Sequence, residues 1–201
     1  MIRNLVFDMG GVLMEFCPEK FVARVTDDAA DAQLLLREVF ASVEWACLDR
    51  GTMDDAQALA AMNRRLPARL HPAAQMLVSH WNEPVLPVEG MAALLRELKA
   101  KGLGLYLLSN AARRQHEYWP CVPGSEQFDG TFISADWLLV KPQPEIYRAL
   151  YACWGLQPQE CFFIDDSPQN VEGARMTGME GAVFHGDVRE LRGVLAAHGI
   201  L

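Results

Sequence analysis

Acidic side chains follow two apolar runs of this 201-residue sequence, at the point where each run ends. Asp8 comes directly after residues 5–7, and Asp165 and Asp166 come directly after residues 161–164. A carboxylate at a strand end can act as a nucleophile or as a metal ligand. Adjacent carboxylates repel each other unless a cation neutralises them, and Mg²⁺ accepts one or two carboxylates while keeping several waters. The acidic pair therefore favours a Mg²⁺ site, with solvated turn residues as the alternative.

Two further polar positions follow or precede apolar stretches. Ser109 and Asn110 come after the run 103–108, and Lys141 lies in a later loop, directly before a proline. A hydroxyl and consecutive backbone amides can hold phosphate oxygens, and a lysine is a compact charge that neutralises phosphate or a carboxylate pair. Each residue alone also fits a simpler role, a helix cap for Ser109 and an ordinary surface position for Lys141. Together, the order Asp, Ser, Lys, Asp–Asp indicates one shared site.

The elements that must position these side chains are short apolar runs that do not alternate with polar residues. Such runs are typical of strands covered by helices on both faces, as in a parallel sheet. Open sheets of this kind bind ligands at the carboxyl ends of their strands, which is where most of the candidate residues lie. The predicted strands are 5–7, 103–108, 131–133, 161–164 and 182–184.

Helical patterns punctuated by proline and glycine separate these strands. They cover residues 90–101, 144–154, 167–177 and 187–198. Strands that alternate with helices at this spacing predict an α/β fold, a Rossmann-like doubly wound parallel sheet. We expect residues 1–14 and 84–201 to form this core.

Residues 15–83 break the alternation, because they contain no strand-like run. An insert of this length is too large for a simple loop, so we expect an all-α cap subdomain after the first strand. Asp54 is placed to cap its third helix or to lie in the first turn. The predicted cap helices are 18–25, 30–45, 52–63 and 72–80.

Four segments resemble, in order, the four sequence motifs of the haloacid dehalogenase-like (HAD) hydrolase superfamily. They are FDMGGVL, LLSN, KPQPEIY and FFIDDSPQN, spread over residues 6–170. The insert is similar to the helical cap that one subgroup carries between its first two motifs. Within the superfamily, the sequence most resembles bacterial sugar-phosphate phosphatases, including a glucose-1-phosphate phosphatase, and the phosphatase domain of soluble epoxide hydrolase.

The resemblance implies a role for each matching residue. Asp8 would be the nucleophile that forms an aspartyl-phosphate and would also bind Mg²⁺, with the Gly10 backbone carbonyl as a second ligand. Ser109 and the Asn110 amide would bind phosphoryl oxygens, and Lys141 would neutralise Asp8 and the transferring group. The remaining roles fall to the last motif, where Asp166 would bind Mg²⁺ directly, Asp165 would support through water or Lys141, and Asn170 would assist.

Gly10 departs from the family pattern. The usual first motif has a second Asp at this position, which serves as the general acid and base. The loss of such a group typically costs about 10²- to 10⁴-fold in rate. Glu15, Glu44 and His116 are weak candidates for a replacement, as are a water molecule or the substrate itself.

The expected function is Mg²⁺-dependent hydrolysis of a small phosphomonoester, with a sugar phosphate as the expected substrate. One alternative is a HAD-like ligand-binding or partner-binding protein that lost turnover with the second Asp. A 2-haloacid dehalogenase is a weaker alternative, because relatives with that activity need no Mg²⁺ and lack the acidic pair Asp165–Asp166. A phosphotransferase is also less favoured, because of Gly10.

The cap is expected to set specificity, since it covers the pocket and excludes water. Phe16, Trp45 and Trp81 can line the pocket, although core packing is the more common role for such aromatics. After the Ser109 position, Arg113 or His116 is hypothesised to contact a sugar.

The composition excludes several other classes. The formal net charge is −8 and no cluster of basic residues occurs, so we expect neither nucleic-acid nor membrane partners. Five widely spaced cysteines without a CxxC pair indicate reduced thiols, and the first residues do not resemble a secretory signal. We therefore expect a cytoplasmic protein, a monomer or homodimer, whose partner is a small phosphorylated metabolite.

Overall fold

A single parallel sheet forms the centre of the protein, for which the computed structural model describes residues 1–201. The strand order is β3-β2-β1-β4-β5, with β1 in the middle and every neighbouring pair parallel. This confirms the predicted Rossmann-like α/β fold. The strands are β1 Asn4–Phe7, β2 Gly104–Ser109, β3 Gly130–Ile133, β4 Cys161–Asp165 and β5 Glu180–Val183.

The two central strands are largely apolar because helices cover both faces of the sheet. Leu5 and Phe7 face one side and pack with residues of the insert, whereas Val6 faces the other side. All five residues of β4 are fully buried. The edge strand β5 starts two residues earlier than the predicted 182–184, and it is only partly covered.

The helices outside the insert match the predicted positions to within about two residues, apart from short segments that the sequence did not reveal. Gly155, with a φ of 64°, ends the helix α9 (Pro144–Trp154) as the sequence predicts. No helix in the structure combines the length and apolarity that crossing a bilayer requires. These helices are α6 Met91–Ala100, α7 Gln115–Tyr118, α8 Ser134–Trp137, α9 Pro144–Trp154, α10 Pro168–Arg175 and α11 Val188–Ala197.

The insert is helical, and its apolar residues belong to the same continuous core as one face of the sheet. Asp54 caps the helix α4 (Asp55–Asn63). Its carboxylate accepts a hydrogen bond from the Gln57 N–H at 2.8 Å, and the Gln57 side-chain oxygen accepts one from the Asp54 N–H at 3.1 Å. The division into a core and a cap at residues 15 and 83 stays a prediction. The helices are α1 Pro18–Val22, α2 Ala29–Leu35, α3 Val43–Arg50, α4 Asp55–Asn63 and α5 His71–His80.

The prediction of one helix over residues 30–45 is wrong. The α-helix ends at Leu35, and a π-helical turn, Leu36–Phe40, follows it. A new α-helix then begins at Val43. Ser42 causes the break: its hydroxyl donates to the Val39 carbonyl at 2.7 Å and accepts from the Trp45 N–H at 3.1 Å. A serine hydroxyl that bonds the backbone in this way competes with continued helix and caps the next one.

Candidate active site

Three carboxylates meet at the carboxyl ends of β1 and β4. Carboxylate oxygens of Asp8, Asp165 and Asp166 all lie within 4.8 Å of one another. The two strands are neighbours in register, with Phe7 opposite Ile164, so the residue that follows each of these two positions reaches the same edge of the sheet. The adjacency that the sequence predicts for these residues is therefore present in the fold.

Lys141 connects two of these carboxylates. Its ammonium group is 2.8 Å from Asp8 Oδ1 and 2.7 Å from Asp165 Oδ2, and it donates to the Leu108 carbonyl at 2.9 Å. Burial lowers the lysine pKa, but the charges of Asp165 and Asp8 outweigh it, and the net effect raises the pKa of Lys141. The lysine is therefore charged at neutral pH even though it is buried, with only 4% of its surface exposed.

Asp8 has a perturbed pKa. Burial of the carboxylate, opposed by Lys141 and reinforced by the charge of Asp165, raises its pKa to about 7. One lysine cannot balance three carboxylates that lie this close together in a poorly solvated position. A divalent cation at the cluster would restore the balance and favour the ionised, nucleophilic form of Asp8.

Asp165 is held by the protein on both of its oxygens. Besides Lys141, it accepts from the Ser167 N–H at 2.8 Å and from the Asn170 side-chain amide at 3.0 and 3.1 Å. Tyr147 in turn donates its hydroxyl to the Asn170 carbonyl at 2.7 Å. These contacts position Lys141 and leave little of Asp165 free to bind an ion directly.

The turn after β1 brings Asp166 and two glycines together. Gly11 has a φ of 75°, and a Cβ atom there would overlap the Asp166 carboxylate. Only glycine satisfies both conditions. The Gly10 carbonyl accepts no hydrogen bond from the backbone, and the Asp166 carboxylate has no side-chain donor. Both are free oxygen donors beside Asp8.

This set of donors fits Mg²⁺. The ion prefers carboxylate and carbonyl oxygens and keeps several waters. Asp8, Asp166 and the Gly10 carbonyl would hold it. Asp165 would support them through its ion pair with Lys141. Asp8, Gly10, Asp165 and Asp166 are the metal ligands that the sequence suggests, and their role as ligands stays a proposal.

Ser109 and Asn110, at the end of β2, line the same cavity as Asp8. The Asn110 side chain bonds the Lys141 backbone twice, donating to its carbonyl at 3.0 Å and accepting from its N–H at 2.8 Å. Its side chain is thus used to fix the lysine loop. The Ser109 hydroxyl and the backbone N–H of Asn110 remain for a phosphate group, as a proposal.

The cavity of about 190 Å³ extends from these polar residues to the insert, and its far side is largely apolar. Phe16 packs edge-on against Trp81 with ring centroids 5.1 Å apart, so the aromatics pack together and line the cavity at once. The residues on the far side are Phe16, Trp45, Leu48, Asp49, Asp55, Val78, Trp81, Arg114, Gln115 and Tyr118.

The segment after β2 reaches the cavity, but not through Arg113 and His116, the residues that the sequence suggests. Arg113 and His116 point to Asp136 at 3.9 and 2.8 Å and do not line the cavity. Their neighbours Arg114 and Gln115 do. The helix here has only four residues, too few for a sequence pattern to reveal which side faces inward.

Gln115 is fully buried, and neither the oxygen nor the nitrogen of its amide has a hydrogen-bond partner in the protein. Buried polar groups are nearly always paired, so an unpaired amide in a cavity wall is a position for a ligand group or a water. Nothing in the sequence pattern singles out Gln115.

A family model of haloacid dehalogenase-like hydrolases matches residues 2–178 of the chain. The chain belongs to this hydrolase family. The match covers the sheet edge described above together with the insert, and it confirms the resemblance that the four motifs carry. The protein is therefore a HAD-like hydrolase.

Relatives of known activity include phosphatases. A sesquiterpene phosphatase of Aspergillus oryzae is 27% identical over 191 residues, covering 89% of this chain and 88% of the relative. A phosphoserine phosphatase of Thermus thermophilus is 33% identical over 89 residues, a match that covers 43% of this chain and 36% of that relative.

Solved structures share the fold. A HAD family enzyme of Bacteroides thetaiotaomicron, in complex with magnesium and inorganic phosphate, superposes with a TM-score of 0.71 at 22% identity, covering 95% of this chain and 99% of that one. An L-2-haloacid dehalogenase of Xanthobacter autotrophicus superposes with a TM-score of 0.68 at 18% identity, covering 100% of this chain and 85% of that one. Because a haloacid dehalogenase shares this fold, the fold alone does not assign the reaction, and the site must do so.

Proposed function

We propose that this HAD-like hydrolase is a Mg²⁺-dependent phosphomonoester phosphatase with Asp8 as its nucleophile. The observation that carries the proposal is the arrangement of Asp8, Lys141 and Asp165, with the free carboxylate of Asp166 beside them. This arrangement can neutralise both an anionic nucleophile and an anionic substrate. Hydrolysis of a phosphate monoester needs that neutralisation, because the two reacting groups repel each other.

The chain supplies each part of such a reaction. Mg²⁺, when bound, would stabilise negative charge on the phosphoryl oxygens and on Asp8. The Ser109 hydroxyl and the Asn110 N–H hold the phosphoryl oxygens, and Lys141 orients Asp8 and opposes the rise in its pKa. Asp8 attacks phosphorus to form an aspartyl-phosphate, and water then releases phosphate from it. Positioning and electrostatic stabilisation provide most of the acceleration in phosphoryl transfer.

Residues 15–83 would act in this scheme as a cap subdomain over a core formed by residues 1–14 and 84–201. The aromatic side chains of the insert close the far side of the cavity. Water exclusion by such a cover strengthens the electrostatic interactions beneath it. A monomer or a homodimer in the cytoplasm is expected for the protein.

The residues that line the cavity indicate which class of substrate it fits. A cavity lined by Phe16, Trp45 and Trp81 matches an organic group with an apolar face better than it matches a sugar with hydroxyls on every side. The relative that acts as a sesquiterpene phosphatase agrees with this preference. Within the proposed class of small phosphorylated metabolites, we favour esters of apolar alcohols, with the sugar phosphate expected from the motifs as the alternative.

A binding protein without turnover is the second candidate, because Gly10 offers no acid or base. Dehalogenation is disfavoured by the acidic cluster, since a reaction that needs no metal gains nothing from three adjacent carboxylates.

The test is phosphate release from a panel of esters, with Mg²⁺ or with EDTA. The panel pairs glucose 6-phosphate with citronellyl phosphate, two esters of primary alcohols, and adds p-nitrophenyl phosphate. Asp8→Asn should abolish release, whereas Asp27→Asn, the same change at an exposed carboxylate of the insert, should not. Mg²⁺ binding without release from any ester would favour the binding protein.

A further inference from the structure

Gly10 leaves the proposed reaction without the usual acid and base, and the three residues that the sequence offers do not replace it. Glu15 pairs with Lys20 at 2.7 Å, and His116 pairs with Asp136 at 2.8 Å. Glu44 binds Arg65 through both oxygens at 2.9 and 2.7 Å, and this pairing lowers the pKa of Glu44. None of the three lines the cavity that contains Asp8.

Asp49, near the end of α3, does line that cavity. Three other aspartates also line it, and each of them already has a role or a partner. Asp8 pairs with Lys141, Asp166 lies with the metal-binding carboxylates, and Asp55 lies 3.5 Å from Arg114. The Asp49 carboxylate has no hydrogen bond or ion pair within the protein. A carboxylate in a cavity wall without a partner is available to a ligand.

The backbone of Asp49 is fixed to the loop that follows Ser109 and Asn110, the proposed phosphate-binding residues. The Ser134 hydroxyl donates to the Asp49 carbonyl and accepts from the Ala111 N–H at 2.9 Å, two residues after Ser109. Gly51 continues this contact, since a Cβ at its position would overlap the Ala135 carbonyl. The position of α3 relative to the loop is thus set by direct contacts, which is the requirement for a residue that must meet a reacting atom.

The surroundings of Asp49 favour its protonated form. Burial and the negative charge of Asp8 raise the pKa of Asp49 to about 8, although the positive charge of Lys141 opposes them. Arg114 and Asp55 are the other charged groups on the same side of the cavity. A carboxyl group that carries a proton at neutral pH can donate it.

We propose that Asp49 is the general acid and base of this enzyme, in place of the side chain missing at Gly10. In the first step the Asp8 oxygen bonds to phosphorus, the bond from phosphorus to the alcohol oxygen breaks, and the Asp49 proton goes to that oxygen. In the second step Asp49 takes a proton from water as the water oxygen bonds to phosphorus. The bond from phosphorus to Asp8 then breaks, and both aspartates return to their initial states. The role rests on the proposed phosphatase function.

The experiment compares esters whose leaving groups differ in their need for a proton. An alkoxide leaves poorly without protonation, whereas p-nitrophenolate leaves readily. Asp49→Asn should lower the rate of the first step with citronellyl phosphate by about 10²-fold or more. With p-nitrophenyl phosphate the variant should release one equivalent of p-nitrophenolate at nearly the wild-type rate, then turn over slowly. The phosphorylated enzyme should accumulate in that second phase, because no base activates water.

Two further variants make the result specific. Asp49→Glu keeps the acid and should recover part of the rate with citronellyl phosphate. Asp27→Asn repeats the chemical change at an exposed position and should leave both esters unaffected. A folding check by circular dichroism accompanies each variant, and if Asp49→Asn does not fold, Asp49→Ser takes its place.

Three results would overturn the role of Asp49. They are wild-type turnover of both esters by Asp49→Asn, an equal loss on both esters without a burst, and no recovery with Asp49→Glu. If wild-type enzyme with Mg²⁺ released no phosphate from any ester, the phosphatase proposal itself would fail and this inference with it. That outcome differs from the other three, in which the wild type is active.

Discussion

The two ends of the cavity are built on opposite principles. At the sheet end, Asp8, Lys141 and Asp165 form a closed set of ion pairs, supported by further hydrogen bonds. At the insert end, aromatic side chains line the cavity together with two polar groups that have no partner in the protein, the carboxylate of Asp49 and the amide of Gln115. The difference indicates that the sheet end is preorganised for a constant phosphate group, whereas the insert end is completed by the substrate.

The largest effect is expected at Lys141. Lys141→Met leaves Asp8 and Asp165 facing each other without a cation, and breaking a buried pair in this way typically costs about 3–5 kcal/mol of unfolding free energy. Activity should fall with it. Urea unfolding and phosphate release measure the two effects, with Lys101→Met, an exposed lysine, as the control. Wild-type stability in Lys141→Met would show that the sheet end does not depend on this lysine.

Asp166→Asn should act on metal affinity more than on folding. Its carboxylate is free and lies against Gly11, so removal of its charge weakens the proposed Mg²⁺ site without breaking an ion pair of the protein. The Mg²⁺ concentration for half-maximal activity should rise by about 10-fold or more. Calorimetric titration of the protein with Mg²⁺ provides an independent measure. Glu172→Gln, on the exposed side of α10, is the control, and equal Mg²⁺ affinity in Asp166→Asn would remove Asp166 from the site.

Gln115→Leu should separate stability from substrate binding. An unpaired buried amide costs about 1–3 kcal/mol, so its replacement by an apolar side chain of similar size should stabilise the free enzyme by about 1 kcal/mol. At the same time KM should rise for a substrate whose organic group hydrogen-bonds to the amide. Thermal unfolding and KM across the ester panel test both parts. Gln33→Leu, an exposed position on α2, is the control, and a loss of stability in Gln115→Leu would mean that the amide is already satisfied.

Ser42→Ala is expected to have the smallest effect. The Ser42 hydroxyl caps α3 and closes the turn before it, and loss of such a cap typically costs about 1 kcal/mol. Because α3 carries Asp49, a small fall in kcat with slow-leaving esters should accompany the loss of stability. Denaturant unfolding measures the first effect. Unchanged stability would mean that the break before α3 does not depend on this serine.

The sheet end is largely predictable from the sequence. Asp8, Ser109 and Asp165 each close an apolar strand, and parallel strands bring their carboxyl ends to one edge, so local pattern and topology point to the same place. The free carbonyl of Gly10 and the close approach of Gly11 to Asp166 follow from the turn that the glycine pair permits.

The insert end is not predictable in the same way. Which face of a short helix turns toward the cavity depends on packing between distant segments, and neither Asp49 nor Gln115 stands out in its local sequence. The failed helix over residues 30–45 has a local cause, because its apolar spacing continues while Ser42 forms a competing bond to the backbone. The polar pattern after β2 favours Arg113 and His116, while the cavity residues are their neighbours.

Detection of the covalent intermediate tests the central claim most directly. Wild-type enzyme turning over p-nitrophenyl phosphate with Mg²⁺ is quenched in acid, digested, and examined by mass spectrometry for the peptide that contains Asp8. The account predicts the added mass of one phosphoryl group on that peptide, present only with Mg²⁺, absent from Asp8→Asn and increased in Asp49→Asn. Phosphate release that continues in Asp8→Asn, with no added mass on the peptide in the wild type, would contradict it.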